Sequence, residues 1–476
     1  MLILVCGLPG SGKTTLSQEL SGRINGISLN TDSIREELFE TRTYSKQEKE
    51  KVYEKLLECS QKNLENEKNV VVDATFYKKE LREKFISLAN KLGKKSYLIY
   101  CFLDEEKTKI RLQNRKNDKS EADFSVYLKI KRCFEPIQKN YLQINTSENI
   151  QKQIEQVLFY IMKEQLKEKY QLIETHISLI FLDDTFAYKI KKPVKFSFLD
   201  FSTKEKRKFY LNEELRLNKK ISPAIYLGIV DVNFQKDKFL IGNGGQSFEL
   251  ALKMKKIENK KKMDNLIQAG KISEKEIELL AKQISNFHQN AEIIKDFRYN
   301  SAQMLADQIN DLGNFKKPIN ICCFMGKEVD FILEKCNKFI ENNQDLLLKR
   351  QKIGKIKECH GDLHTGNIFF DKYPIIFDCI EFNNEFRFID ILSDVGFLAM
   401  DLDAKGQNQL SDFLIKKYAL FSKDPDIEKL MPLYKCYRAN VRAKIAAIEY
   451  EQKKDENNRE KLELYLNLAE GYAKNL

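Results

Sequence analysis

Eight residues near the N-terminus, Gly7-Leu8-Pro9-Gly10-Ser11-Gly12-Lys13-Thr14, restrict what this chain can fold into more than any others. They follow an uninterrupted apolar run, Leu2–Cys6, and lead into a helix-compatible stretch, Thr14–Gly22. A buried strand that breaks into glycines and reopens as a helix is the geometry of a phosphate cradle, and the pattern G-x-x-x-x-G-K-[ST] supplies its chemistry. The glycines let backbone N–H groups close on phosphate oxygens, and the helix adds its positive N-terminal end. Gly7, Pro9, Gly10, Ser11, Gly12, Lys13, Thr14 and Thr15 are therefore the expected nucleotide-binding residues. Lys13 would reach the β- and γ-phosphates and Thr14 would ligate Mg2+, so ATP and Mg2+ are the expected cofactors.

The surrounding sequence gives this loop an α/β setting. Asn69–Asp73 and Ser96–Leu103 are further apolar runs, separated by Lys- and Glu-rich helical stretches such as Lys46–Glu67. Fully apolar strands between amphipathic helices predict a parallel sheet with helices on both faces, over residues 1–165. Asp32, in Asn30-Thr31-Asp32-Ser33-Ile34-Arg35, falls where the second strand should end. A carboxylate there can take the proton of a substrate hydroxyl, and Arg35, one helical turn later, can bind a substrate phosphate or the carboxylate itself. The alternative is a helix N-cap at Asp32 with Arg35 on a surface turn. Asp73 ends the strand NVVVD, where it can hold Mg2+ through water or bind substrate. Arg111 and Arg115, one turn apart, precede the polar segment Lys116–Asp123 and then Lys129, Lys131 and Arg132. These read as a lid that brings cations to the transferring phosphoryl group.

Taken together, the segment from Leu2 to Tyr141 resembles the small P-loop kinases that include polynucleotide 5′-hydroxyl kinases, chloramphenicol phosphotransferase and zeta-type toxins. The resemblance rests on GLPGSGKTT, NTDSIR, VVVDATF and the RLQNR entry to the lid. It implies that Asp32 is the catalytic base, assisted by Arg35, with Arg115 in the lid.

A second pattern lies far along the chain, in Glu358-Cys359-His360-Gly361-Asp362-Leu363-His364-Thr365-Gly366-Asn367. Asp362 and Asn367, five residues apart on one loop, can present a carboxylate to an acceptor hydroxyl and an amide oxygen to Mg2+. A strand then leads to Asp378, placed to chelate Mg2+ between the β- and γ-phosphates. This stretch resembles the aminoglycoside phosphotransferase family of kinase-like enzymes. The resemblance runs from Glu174 to the end, through ETHIS, AYKIKKPVKFSFLDFS, EELRLN, RFID, SDVGFL and YKCYRANVRAK. It implies that Asp362 is the base, Asn367 and Asp378 are metal ligands, and His360 is structural. Asp390 and Asp394 would brace the loop. It is closest to bacterial proteins in which such a domain is fused to a P-loop domain, there in the opposite order.

The nucleotide lysine of this second module is Lys189 or Lys191, two apart and so on one face of a strand. Lys189 is favoured, with Glu214 preferred over Glu213 as its partner on the following helix. The expected second domain is an α+β, protein-kinase-like, two-lobed fold over 170–476. Its small sheet lobe covers about 170–256 and its helical lobe about 257–476, after a charged helical connector at Asn149–Tyr170. His288 reads as a packed helix residue, and His176 has no nameable partner.

Length and composition fit this division. The 476 residues exceed one ordinary core, and 42% hydrophobic with 32% charged residues suit burial and solubility together. The net charge of +11 raises encounter rates with anions without choosing among them. The basic run Lys255–Lys262 reads as a solvated face. Ten cysteines without a CxxC pair read as reduced thiols. No apolar run is long enough for a membrane span, so the cytoplasm is the expected location. Asp401, Asp403, Asp424, Asp426 and Glu428 form an acidic set that the sequence does not divide between a pocket and a solvated loop. The expected function is a phosphotransferase with two kinase modules, each moving the γ-phosphoryl group of Mg-ATP to a hydroxyl acceptor, a small molecule. One alternative is 5′-hydroxyl polynucleotide phosphorylation by the first module. The other is a non-catalytic, ATP-dependent regulatory protein.

Overall fold

The structure, a computed structural model, describes residues 1–114, 122–138, 140–242, 244 and 247–476. It divides into two compact units, Met1–Leu172 with Asp231–Glu249, and Ile173–Val230 with Leu250–Leu476.

In the first unit, β1 (Leu2–Cys6), β2 (Gly26–Asn30), β3 (Asn69–Asp73), β4 (Ser96–Phe102) and β5 (Tyr141–Asn145) form one sheet in the order β2-β3-β1-β4-β5. Its four strand pairs are all parallel. Position in the sheet explains which strands are legible as apolar runs. β1 and β3 are buried at every residue, whereas the edge strands β2 and β5, GISLN and YLQIN, are mostly half-buried or exposed. The helices are α1 (Lys13–Arg23), α2 (Thr31–Leu38), α3 (Lys46–Glu65), α4 (Lys79–Lys91), α5 (Glu105–Gln113), α6 (Phe124–Cys133) and α7 (Ile150–Lys169). Val52, Leu56 and Leu64 of α3 form a stripe at four-residue multiples and pack on Leu2, Leu4, Val70 and Val72 of the sheet. The segment 231–249, read from sequence as part of the small sheet lobe, groups with this unit. Gln165 of α7 accepts from Phe239 N at 2.8 Å and donates to Asp237 O at 2.9 Å.

The second sheet contains β6 (Gln171–Glu174), β7 (Ser178–Leu182), β8 (Phe186–Lys191), β9 (Tyr226–Gln235), β10 (Lys238–Ile241) and β11 (Ser247–Lys255), in the order β10-β9-β11-β8-β7-β6. The β7–β8 turn forms because Asp183 Oδ1 accepts from the backbone of Thr185 and Phe186, at 2.7 and 2.6 Å. Helix α8 (Lys204–Ile221) lies between β8 and β9 in the chain and is capped by Thr203.

Beyond residue 256 the chain is mainly helical, with two short ladders: β12 (Ile356–Glu358) on β15 (Phe388–Asp390), and β13 (Ile368–Phe370) on β14 (Pro374–Ile376). Helix Ile391–Ala404 is buried from Ile391 to Leu402. Helices Asn408–Ser422, Ile427–Lys453 and Glu456–Ala473 share its core. All ten cysteines are free. Among the described residues, no helix is long and apolar enough to cross a membrane.

Arg350 is a buried keystone of this lobe. Its guanidinium, with no exposed side-chain surface, donates to both carboxylate oxygens of Asp390 at 2.6 and 2.8 Å, and to Asp424 at 2.8 and 3.0 Å. Among the described residues, removing it would leave buried Asp390 without a cation and Asp424 with Lys355 alone, at 3.1 Å. Arg350→Met is expected to destabilise the unit by about 3–5 kcal/mol, lowering Tm by ~10 °C. A shift under about 2 °C in a thermal melt would contradict the keystone role.

Candidate active sites

The first site is built where β1 turns into α1. Gly7, Gly10 and Gly12 have φ values of 150°, 79° and 79°. A Cβ on Gly7 would stand 2.3 Å from Cys101 O, so no larger residue fits. Helix α1 starts at Gly12 with no side chain capping its first turn, which leaves N–H donors facing outward for an anion. Lys13 Nζ rests on Leu8 O at 3.0 Å. Thr14 Oγ1 donates to Asp73 Oδ2 at 2.5 Å, so the two oxygens expected around Mg2+ are adjacent. This oxygen pair beside an uncapped helix start fits a Mg-nucleotide. Thr15 is exposed one residue further on. Arg111 donates to Gly10 O at 3.3 Å and Thr146 O at 3.4 Å, and Thr146 Oγ1 donates to Ser11 O at 2.8 Å, so both hold the loop from behind.

Asp32 and Arg35 differ from their alternative reading. The N-cap of α2 is Asn30, whose side chain accepts from Ser33 N at 2.7 Å, and Asp32 lies inside the first turn. Arg35 is buried, 3.1 Å from Asp32 and 2.7 Å from Glu48, with its guanidinium 4.7 Å from the Tyr44 ring. Glu48 was not singled out in the sequence. Its signal is the Ser45-x-x-Glu48 spacing of a helix start, but its carboxylate reaches past the cap to Thr43 and Tyr44 N–H and to Arg35. In the lid stretch, Lys131 pairs with Glu105 on the surface. Arg115 lies outside the described residues.

The second site gathers residues from four segments. Lys189 Nζ contacts Glu214 at 2.7 Å and Asp378 at 2.6 Å. Lys191 Nζ contacts the other Glu214 oxygen at 2.7 Å and also Glu381. Both lysines thus reach one glutamate, but Lys191 is sealed at 1% exposure beneath Phe201, while Lys189 opens toward Asp378. Glu213, the other candidate partner, pairs with Arg216 at 2.8 Å. Glu381, which carried no sequence assignment, completes the buried charge balance around Lys191.

Asp378 lies beyond β14 with φ 66°, not on the strand. Its N–H donates to Tyr226 Oη at 3.0 Å, and the next N–H, of Cys379, donates to Asn218 Oδ1 at 3.0 Å. Asn367 Nδ2 donates to Asp362 Oδ2 and to Asp362 O, both at 3.0 Å. Among the described residues, Asn367 Oδ1 and Asp378 Oδ2 have no hydrogen-bond partner, which leaves two oxygens suited to a hard cation. The loop is tied down from below. Asp394 accepts from His360 N and Gly361 N at 2.9 Å each and contacts His288 Nε2 at 3.1 Å; His288 Nδ1 in turn lies 2.8 Å from Tyr418 Oη. His288 is therefore part of the loop's support as well as a packed residue. The acidic set near the C-terminus is dispersed: Asp401 serves Thr365, Asp403 pairs with Lys435, and Asp424 pairs with Arg350.

Burial would raise the Asp362 pKa, but His364, 3.4 Å away, and then His360 and Arg442 hold it well below the usual carboxylate range. Burial would likewise raise Glu214, yet Lys189 and Lys191 hold it at about 2. Glu358 is also at about 2, because Arg216 and Lys220 outweigh its burial. Depressed carboxylates supply stability that is complete above their unfolded pKa and vanishes as pH falls through the folded value. Unfolding free energy of the second unit should therefore drop between about pH 5 and pH 2, and replacing Glu358 by Gln should flatten that slope. Denaturant titrations across the interval would show it, and an unchanged slope would remove Glu358 from the account.

The parallel sheet and glycine loop give the first unit the α/β fold of P-loop NTPases, and residues 2–137 match the family described as AAA domain. Over 289 residues the chain is 30% identical to uncharacterized proteins of Mycobacterium tuberculosis and Mycobacterium bovis, covering 60% of this chain and 56% of theirs. It thus spans little more than half the length of these curated relatives. Solved structures that overlay on it include a putative kinase from Chloroflexus aurantiacus, at 21% identity and TM-score 0.28, covering 33% of this chain and 97% of that one. A gluconokinase from Sinorhizobium meliloti overlays at 15% and 0.28, covering 35% and 95%. The Mycobacterium tuberculosis APS kinase in complex with AMPPNP and APS overlays at 15% and 0.28, covering 34% and 96%.

Proposed function

We propose that the chain is an ATP-dependent phosphotransferase with two modules, each passing the γ-phosphoryl group of ATP to a hydroxyl of a small molecule in the cytoplasm. The observation that carries the reading is the convergence, within the second unit, of Lys189, Glu214, Asp378, Asn367 and Asp362. A strand lysine held by a helix glutamate supplies charge to phosphates, and the loop carboxylate faces the space where an acceptor would sit. Bound Mg2+ would neutralise phosphate oxygens, with Asn367 and Asp378 holding it here, and Thr14 and Asp73 in the first unit.

The remaining work is done by the chain itself. Asp362, kept ionised by His364, accepts the acceptor's hydroxyl proton. Lys189 exchanges its contact with Asp378 for phosphate oxygens while Glu214 keeps it oriented. In the first unit Lys13 leaves Leu8 O for phosphate, and Asp32 is the base, with Arg35 fixing its direction. Positioning and charge neutralisation dominate such a transfer.

The test is incubation of the full chain with radiolabelled ATP, Mg2+ and a cell metabolite extract, followed by separation of labelled products. Labelled small molecules that disappear with Asp362→Asn or Lys13→Ala support the reading. ATP binding with no labelled product in any fraction would return the chain to the regulatory class.

A further inference from the structure

The second unit's acceptor is chemically constrained by a side chain that the phosphotransfer scheme does not use. Helix Ile427–Lys453 runs past the loop that carries Asp362. Arg438 on this helix donates from Nη1 to Gly361 O at 3.0 Å and from Nε to Ser393 O and Oγ at 3.2 Å, with its guanidinium 4.9 Å from the Phe397 ring. Those contacts fix one face of the helix against the residue immediately before Asp362. Arg442 is four residues further, on the same face and one turn along. It lies within electrostatic reach of Asp362 and His364.

Arg438 spends Nε and Nη1 on the loop and on Ser393, whereas Arg442 makes no such contact. Among the described residues its guanidinium makes one hydrogen bond, a long one of 3.4 Å from Nη2 to Tyr465 Oη, and lies 5.4 Å from that ring's centre. No described carboxylate is within ion-pair distance of it. The acids that influence it are engaged elsewhere: Asp362 with Asn367 and His364, and Asp401 with Thr365 N at 2.9 Å and the Thr365 hydroxyl. A guanidinium offers five donors in a planar fork that matches an oxyanion in two-point contact. Here that fork is partly buried, one helical turn from the arginine that holds Gly361 O, and almost unused.

Resting on the reading of Asp362 as base, we propose that Arg442 binds the acceptor, and that the acceptor is a hydroxyl compound which also carries an oxyanion, a phosphate or a carboxylate. In the transfer, the acceptor oxygen bonds to the γ-phosphorus and gives its proton to Asp362. The bond from that phosphorus to the bridging oxygen breaks, and ADP leaves with the electron pair. Arg442 touches the acceptor's far group and sets which hydroxyl faces Asp362. A cationic acceptor would meet Arg442 with like charge, and the acids that could have welcomed it, Asp403 and Asp424, are tied to Lys435 and Arg350.

The experiment offers the full chain radiolabelled ATP, Mg2+ and a matched set of acceptors: glycerol, its amino analogue serinol, glycerate and glycerol phosphate. Asp362-dependent labelling of glycerate or glycerol phosphate over the other two is expected, and whichever is labelled decides between carboxylate and phosphate. Arg442→Gln should raise KM for that acceptor about 10- to 100-fold, with Arg442→Lys recovering part and KM for ATP unmoved. Preference for serinol or glycerol would overturn the proposal. So would an Arg442→Gln enzyme that loses kcat while KM stays fixed, since the arginine would then serve the transferring phosphoryl group. Should no member of the set be labelled, butanedione modification of Arg442, read by mass spectrometry, gives a second readout. Protection by glycerate or glycerol phosphate and not by serinol supports the inference, and equal modification in all of them overturns it. Absence of any labelled product from the metabolite extract would instead count against the kinase reading itself.

Discussion

Asp362→Asn is expected to lower the second unit's phosphotransfer rate by about 10²- to 10⁴-fold while ATP affinity stays within about threefold. The two side chains have nearly the same shape, and an Asn oxygen can still accept from Asn367 Nδ2, as Asp362 Oδ2 does at 3.0 Å. The backbone of the loop is held independently, by Asp394 on His360 N and Gly361 N. The substitution therefore removes the proposed proton acceptor and leaves the loop standing. Product formation in a single turnover, set beside nucleotide binding by fluorescence, separates the two effects. A loss below about tenfold would mean that another group takes the proton.

Lys13→Ala is the companion case in the first unit, with turnover by that unit expected to fall by about 10²-fold or more. Among the described residues Lys13 makes one hydrogen bond, 3.0 Å to Leu8 O, so its removal costs the loop little. Arg111, at the back of the loop, is already bonded to Gly10 O and Thr146 O and does not stand in for the charge Lys13 would bring to the β- and γ-phosphates. Each substitution should silence one unit only. ATP turnover measured in Lys13→Ala, Asp362→Asn and the double variant tests this, and full turnover in the double variant would refute both assignments.

How much of this was legible beforehand depended on whether the signal was local. The phosphate loop was readable because strand, glycines and helix are contiguous, and each glycine answers to its own backbone angle or close approach. The loop around Asp362 stood out for the same reason: the carboxylate and the amide that bonds to it are five residues apart. The inner strands β1 and β3 showed as apolar runs because both their faces are covered. The edge strands β2 and β5 did not, because an edge strand is covered less and its composition turns polar.

What only the tertiary structure decided were choices between chemically equal neighbours. Sequence placed Lys189 and Lys191 on one face and offered Glu213 and Glu214 together. Packing tells the lysines apart, sealing Lys191 against Glu381 and turning Lys189 to Asp378, while Glu213 takes its helix neighbour Arg216. Likewise nothing local separated Arg438 from Arg442. One is bonded to the loop and the other is nearly unpaired, since their partners lie tens of residues away in the chain. Periodicity and motifs report on neighbours in sequence; the pairing of buried charges depends on which distant segments the fold brings within a few ångströms, and there a side chain's surroundings outweigh its type.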